Sequence, residues 1–550
     1  GSLMMPSELV YGNYELHEVQ TANGYVLDET PVPFAIDGQE EVITVEKLNT
    51  AQKGKISVRK TGDIFARVQR TSSAYTDEDG NLIENPTTYT PVFETGNLAG
   101  AVFQVIASED IITADGTVRA KAGDVVAEIT TDENGYAETD LLYLGKYEVK
   151  EITAPNGYVL NSKSQFIELV YAGQEIEVRD TVNAAFVNDY QRVEISLEKI
   201  LEQDETFGIG TNEEYKSVRF GLFAEEEITA ADGTEIPANG LISEISLDEN
   251  MKAVFSVKLP FAKYYVREIT ADEHYILGDK KYSFDFTYQG QETEAVCIDC
   301  GEFENRLKRG TVKGLKLDEN NEPLENAVFG LFKPDCTEFT EENALMTAKS
   351  DDKGCFSFAD IPFGEFAVRE IKAPTGYILS DKVYQVNITE DGQTVEITAE
   401  NKPITVEFSK RDTEGNELKG AKLQIVDEKG NVIEEWISDG TNHIVKKLKA
   451  GKYVLTETAA PDGYEIATDI SFEVFEDGTV KAGNTETVAV SKDGNPLIVM
   501  VDEAEEKQIT PQTGDNRSKL PGIILTGTGL SILVILILKS RKKNGGKDEK

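Results

Sequence analysis

The feature that most constrains this chain is a segment that returns along it at a period of about 100 residues, the mark of a tandem array of modules. It reads YELHEVQTANGY at 14–25, YEVKEITAPNGY at 147–158, YYVREITADEHY at 264–275, FAVREIKAPTGY at 366–377 and YVLTETAAPDGY at 453–464. Upstream of the last four copies lies a second landmark: LAGAVFQV at 98–105, VRFGLF at 218–223, LENAVFGLF at 324–332 and LKGAKLQI at 418–425. Landmarks that keep their order define modules in register, so the 550 residues are divided among several hydrophobic cores, as a chain of this length requires.

The expected division is a partial module at 1–50, a module at 51–191 with an insertion near 63–95, modules at 192–307, 308–402 and 403–505, and a C-terminal signal at 506–550. Residues 11–25 already read as the middle of a repeat, and the first ten residues carry no secretion-signal pattern, so the chain is expected to continue upstream. Between landmarks, short alternating stretches are broken by DENG at 132–135, DG at 232–233, DKG at 352–354 and EDG at 476–478, which are hairpin and loop turns. No long segment of helical period precedes residue 520, so the body is expected to be all-β, with several short strands per module in the manner of a sandwich. The insertion at 63–95 is read as a flexible loop, with a ligand-binding surface as the alternative.

The formal charge of −44 is spread along the chain and repels nucleic acid and anionic headgroups. With 39% hydrophobic residues, 21 Tyr and 24 Phe, the acidity belongs to folded modules and not to disorder. Four Cys and one Trp indicate neither a disulfide scaffold nor a metal protein, and no cofactor or metal site is predicted. Cys336 and Cys355 fall in one module and, in an oxidising compartment, are expected to form a disulfide. Cys297 and Cys300, three apart on a predicted strand, are expected to face opposite sides. His17, His274 and His443 are the histidines of the sequence, and no nucleophile-base arrangement is visible.

Residues two apart on a strand share a face. In Val193-Ile195-Leu197-Lys199 the lysine therefore continues an apolar row and points inward, and the same parity gives Ile56-Val58-Lys60, Val406-Phe408-Lys410 and, in VKGLKLD, Lys316. In the repeated segment the rows Tyr147-Val149-Glu151, Tyr264-Val266-Glu268, Phe366-Val368-Glu370 and Tyr453-Leu455-Glu457 each point a glutamate inward. Each module closes on a strand ending Phe186-Asn188, Phe303-Asn305, Ile397-Ala399-Asn401 or Ile498-Met500-Asp502. A buried lysine or glutamate costs several kcal/mol and escapes by becoming neutral. A neutral amine is a nucleophile, a protonated glutamic acid can donate to a carbonyl and relay a proton, and an amide or carboxyl held against both is an electrophile.

On these residues the four complete modules resemble the Cna B-type, or SpaA-like prealbumin, domains of Gram-positive adhesins and pilins, in which YxLxExxAPxGY is the E-box. The resemblance implies that a first-strand lysine attacks a last-strand Asn or Asp while the E-box glutamate catalyses, releasing ammonia or water. By position the triads are Lys60, Glu151 and Asn188; Lys199, Glu268 and Asn305; Lys316, Glu370 and Asn401; and Lys410, Glu457 and Asp502. The last module, from VEFSKRD at 406–412 through ETAAPDGY at 457–464 to IVMVD at 498–502, resembles the Asp-using repeat of a fibronectin-binding surface protein. The third module departs with ADEHY at 271–275 where Ala-Pro-x-Gly-Tyr is usual. The initial fragment keeps Glu18 and Asn49 but has no first strand, hence no partner lysine.

From Leu520 to Leu538 the sequence carries no charge, and roughly twenty apolar residues span a bilayer as a helix. Lys539, Arg541, Lys542 and Lys543 follow at once, which puts the tail inside and the preceding residues outside. Just before the span stand Thr510, Pro511, Gln512, Thr513 and Gly514. This order of pentapeptide, apolar span and basic tail resembles the cell-wall sorting signals of the LPxTG type cut by sortases, here between Thr513 and Gly514. Thr510 stands where that family has Leu, which leaves the sortase class open. The expectation is a cell-wall-anchored structural stalk of an adhesin or pilin-related protein, secreted through a transient membrane intermediate, with a sortase and peptidoglycan or pilin subunits as partners. It is not an enzyme beyond its own autocatalytic cross-linking. The alternatives are a sortase-polymerised pilin subunit, for which no YPK-type lysine is present, and modules that bind a host extracellular-matrix protein.

Overall fold

The computed structural model describes residues 1–39, 42–76, 82–84, 86–483 and 488–506. Among them the chain is built of β-strands, and a single 3-10 turn at Glu214–Ser217 stands apart from these. The pentapeptide 510–514 and the expected span 520–538 lie outside the described residues; among the described residues no helix is long and apolar enough to cross a membrane. The chain divides into two compact units, one of residues 1–405 with the segments 446–451 and 474–479, the other of residues 406–445, 452–473 and 480 onward.

Each complete module packs two sheets on one core. In the second module the strand β1 (Ile56–Thr71) lies between Tyr136–Glu138, antiparallel to it, and β2 (Val182–Asn188), parallel to it. The facing sheet orders Val125–Thr130, Val102–Ala107, β3 (Gly145–Thr153) and Gln165–Leu169. Their inner faces supply Ile56, Val58, Phe103, Val105, Tyr147, Val149 and Phe186, all buried. The third and fourth modules repeat the plan: Lys252–Phe255, Arg192–Leu201 and Ala295–Asn305 in one, Cys355–Pro362, Arg309–Asp318 and Thr394–Asn401 in the other; the fourth faces a four-stranded sheet, and the third faces four strands of an eight-stranded sheet that β1 and Thr88–Asn97 extend through the Leu241–Thr88 pairing. In the second unit, Thr405–Asp412 lies between His443–Lys446 and Pro496–Asp502. The period-2 burial along these strands is what the alternating sequence dictates, since one face of each sheet is covered and the other wet.

Residues 1–50 form the hairpin Gly12–Leu16 with Val32–Ile36, on which Tyr14 stacks against Phe34 at 5.6 Å between centroids. Residues 43–49 alternate between half-buried and exposed in the manner of the closing strand of the other modules, yet carry no ladder.

Two expectations are corrected. The insertion is not a flexible loop: β1 runs on to Thr71 and returns as Thr88–Asn97, antiparallel strands paired from Thr61↔Asn97 to Thr71↔Thr88 with a bulge at Ala66. It lies on the third module, where Phe65, Val68 and Tyr89 pack on that core and the N–H groups of Ala231 and Asp232 donate to the carbonyls of Phe65 and Ala66, both at 3.1 Å. An apolar inner face that another module covers has no reason to stay unpaired. Cys336 and Cys355 are unbonded thiols. Cys336 follows Val328–Phe332 of one sheet while Cys355 opens a strand of the other, paired with Leu315, so sharing a module does not bring them together. Cys297 is exposed and Cys300 buried, on opposite faces of Ala295–Asn305.

Candidate functional site

The register of the first and last strands brings the predicted groups together. Lys60 lies opposite Phe186, Lys199 opposite Phe303, Lys316 opposite Ala399 and Lys410 opposite Met500, in each case the residue two before the closing Asn188, Asn305, Asn401 or Asp502. Positions two apart share a face, so lysine and amide or carboxyl are diagonal neighbours pointing into the core. The glutamates arrive from the facing sheet, where Glu151, Glu268, Glu370 and Glu457 pair with Phe103, Phe220, Phe329 and Leu423 of the second landmark. All twelve side chains are buried.

Local turns hold three of the lysines. The N–H of each is bound by a residue with positive φ at the following hairpin: Gly135 O to Lys60 N and Gly354 O to Lys316 N at 2.7 Å, and Met251 O to Lys199 N at 2.8 Å. A Cβ on Gly135 or Gly354 would meet the lysine carbonyl at 2.3 Å, so these two turns require glycine. The carbonyls of Lys60, Lys316 and Lys410 accept from the N–H of Leu98, Leu324 and Leu418, just upstream of the landmark strand.

In the second module Lys60 Nζ donates to Asn188 Oδ1 and lies 3.1 Å from Glu151 Oε1, which also accepts from Asn188 Nδ2 at 3.0 Å. The rings of Phe103 and Phe186 flank the amine, and burial pulls its pKa below the ordinary lysine value against the pull of Glu151. In the third, Asn305 Nδ2 donates to Glu268 Oε1 at 2.8 Å, and Lys199 Nζ stands 3.5 Å from that oxygen. Here burial lowers Lys199 to about 8 and raises Glu268, and neither Lys199 Nζ nor Asn305 Oδ1 has a hydrogen-bond partner. In the fourth, Asn401 Nδ2 donates to Glu370 Oε1 at 3.0 Å, while Lys316 Nζ turns to the carbonyls of Leu317 and Ala399 at 3.3 and 3.4 Å, leaving Asn401 Oδ1 unpartnered. Burial again lowers the lysine to about 8 and raises the glutamate. In the fifth, Lys410 Nζ contacts Asp502 Oδ1 and lies 3.0 Å from Glu457 Oε2, with burial raising the pKa of Asp502.

Sequence reasoning missed two devices that aim the glutamates. The residue after each one, Ile152, Ile269, Ile371 or Thr458, is bulged out of the ladder, so the strand bends as it leaves the site. The chain then returns, and the N–H ten residues on donates to Oε2 of the glutamate: Asn161 to Glu151 at 3.0 Å, Gly278 to Glu268 at 3.0 Å, Ser380 to Glu370 at 2.9 Å and Ala467 to Glu457 at 2.7 Å, the last being the oxygen that also faces Lys410. Since every residue type but proline supplies an N–H, its only trace in the sequence is the constant spacing after the E-box. The partial module has the same pair, Asn49 Nδ2 to Glu18 Oε1 at 2.7 Å and Asp28 N to Glu18 Oε2 at 3.3 Å, while its lysine, Lys47, binds Asp28 at 3.0 Å and the Thr30 carbonyl instead of the glutamate.

A two-sheet module whose first and last strands run parallel, with a lysine, a glutamate and an Asn or Asp buried between the sheets, defines a class of prealbumin-like domain. The sequence matches the SpaA prealbumin-like fold domain family over residues 1–52, 91–182, 310–403 and 404–487, more than half of the chain, and the protein belongs to that family. Among solved structures the chain is similar to the Bacillus anthracis TIE protein, at 18% identity over 80% of this chain and 75% of that one with a TM-score of 0.36. It is also similar to BcpA, the major pilin subunit of Bacillus cereus, at 17% identity over 64% and 99% with a TM-score of 0.28. A third is a streptococcal ancillary pilin, at 17% identity over 58% and 100% with a TM-score of 0.22. None of the curated proteins matches the chain.

Proposed function

We propose that this chain is the structural stalk of a cell-wall-anchored surface protein, stiffened by an isopeptide bond that each complete module forms within itself. The observation that carries this reading is the common register: four lysines, each opposite the residue two before a buried Asn or Asp, each with a glutamate held beside that group.

The chemistry balances without a co-reactant. The neutral amine of Lys60, Lys199 or Lys316 attacks Cγ of Asn188, Asn305 or Asn401; the new C–N bond replaces the bond to the amide nitrogen, which leaves as ammonia. In the last module Lys410 attacks Asp502 and water leaves. The glutamic acid gives its own proton to the leaving group and recovers the one that the amine sheds, so it ends the step as it began. Each bond would join the first strand of a module to its last, so tension passes along covalent bonds instead of through the core. By analogy with a disulfide, closing a loop of about 100 residues restricts the unfolded chain by on the order of 4–5 kcal/mol.

The wall attachment in this proposal rests on the order of Thr510–Gly514, the apolar span 520–538 and the basic tail. A sortase cleaving after Thr513 would pass the threonine carbonyl to an amine of the wall and discard the span.

Mass spectrometry tests the cross-link most directly in the last module. The peptide pair containing Lys410 and Asp502 is expected to weigh one water less than its sequence. Lys410→Ala or Asp502→Ala removes a partner and Glu457→Gln removes the relay, so each is expected to abolish the loss. A wild-type pair at full unreacted mass sinks the reading of this module.

A further inference from the structure

The turn that aims Glu151 is gripped from outside its own module. The loop Tyr288–Thr293 of the third module lies against it: Ala154 N donates to Gln291 Oε1 at 2.8 Å, Leu160 N to the Gln291 carbonyl at 2.9 Å, Gln291 Nε2 to Ile152 O at 3.4 Å, and the Tyr288 hydroxyl to Tyr158 O at 3.2 Å. These contacts span the segment between the bulged Ile152 and Asn161, whose N–H holds Glu151. The loop is itself pinned by Gln191, fully buried three residues after Asn188: Gln289 N donates to Gln191 Oε1 at 2.9 Å, and Gln191 Nε2 to Gly290 O and Thr293 O at 3.2 and 2.7 Å. Gly157 closes the fit, since at φ +94° a Cβ there would meet the Phe261 ring at 2.9 Å.

The first joint repeats this bond for bond. Thr21 N donates to Gln174 Oε1 at 3.1 Å, Leu27 N to the Gln174 carbonyl at 2.9 Å, and the Tyr171 hydroxyl to Tyr25 O at 3.2 Å, across the turn that holds Glu18. Gln52, three residues after Asn49, pins that loop: Ala172 N to Gln52 Oε1 at 2.8 Å and Gln52 Nε2 to Gly173 O at 2.9 Å. The shared sequence is Tyr-x-Gly-Gln-Glu, at 171–175 and 288–292. The third joint uses Arg309 against Glu202 and Asp204 at 2.9 and 3.0 Å instead, and among the described residues no glutamine grips the turn after Glu268. A device built twice, a half-buried glutamine on the same backbone groups beside the E-box glutamate and a buried glutamine pinning its loop, is a specific one.

We infer that Gln291 and Gln174 are positioning residues for the module before them, so that cross-linking in a module depends on docking of its successor. The inference rests on the isopeptide reading above. It implies an order: Lys60 joins Asn188 only after the third module has folded against the second.

The full chain, refolded and sampled over time, tests it through the ammonia lost from the Lys60–Asn188 peptide pair, with the Lys316–Asn401 pair as internal control. Gln291→Ala is expected to slow the first between about tenfold and a hundredfold, the scale of a misplaced catalytic group, and leave the second unchanged. Gln291→Glu keeps the accepting oxygen and is expected to restore the rate. An unchanged Lys60–Asn188 rate in Gln291→Ala, or equal slowing of both pairs, overturns the inference. If the wild-type pair never loses ammonia, the isopeptide reading of that module fails instead, and amide exchange at Ala154 judges the grip alone: protection that survives Gln291→Ala overturns it.

Discussion

At the residue scale the sites are legible because burying charge is expensive. A lysine continuing an apolar row is an anomaly that parity alone exposes, and the same holds for Glu151, Glu268, Glu370 and Glu457. The sequence could not disclose the backbone partner of each carboxylate, since backbone N–H groups carry no side-chain signature. In the third module burial lowers Lys199 to about 8 and raises Glu268. Where Glu268 has shed its proton and Lys199 has kept its own, the pair holds one proton, and the reactive form, neutral amine facing neutral acid, differs from the ion pair only by where that proton sits. Its fraction is therefore independent of pH in that interval. It falls at lower pH, where both groups are protonated, and above about 8, where Lys199 loses its proton while Glu268 stays ionised. The cross-linking rate of Lys199 with Asn305 in refolding chain is thus expected to be flat and then decline above about pH 8, read from mass against time. A rate that climbs steadily through pH 10 would show that the neutral amine alone limits the step and that Glu268 is no acid.

At the scale of the element, alternation and turn residues place the strands, and Gly135 and Gly354 mark the hairpins that hold the lysines. The bulges at Ile152, Ile269, Ile371 and Thr458 have no such mark, because bulging a branched residue is a response to packing between sheets and not a local preference. The insertion is hidden from the sequence for a related reason: Phe65 and Val68, three apart, share a face only through the bulge at Ala66, and the surface that they and Tyr89 cover belongs to the next module. Phe65→Ser with Val68→Ser is expected to remove about 1–3 kcal/mol of apolar burial and release the hairpin. Trypsin cleavage at Arg67 or Arg70 should then rise about tenfold, since each 1.4 kcal/mol is a factor of ten. A digestion rate equal to wild type would mean that these side chains do not hold the hairpin down.

For the molecule as a whole, the proposed stalk needs an anchor as well as stiffness. Fractionation of cells making the protein is expected to place it in the covalently bound wall fraction with Thr513 as its last residue. Thr513→Ala should leave it in the membrane, with the apolar span still attached. Extraction of the wild type by mild detergent with residues 520–538 intact would rule out sorting.

The sequence by itself determined what depends on local period and composition: a tandem all-β array, its modules, and which lysine, glutamate and Asn or Asp of each module point inward. Only the tertiary structure decided what depends on strands about 100 residues apart finding one register: the parallel pairing that sets Lys60 diagonal to Asn188, and the successor's glutamine on the turn behind Glu151. Strand polarity and register are settled by which pairing buries the most apolar surface while satisfying every backbone group, a sum over both sheets and, at two joints, over two modules, so no single segment contains the answer.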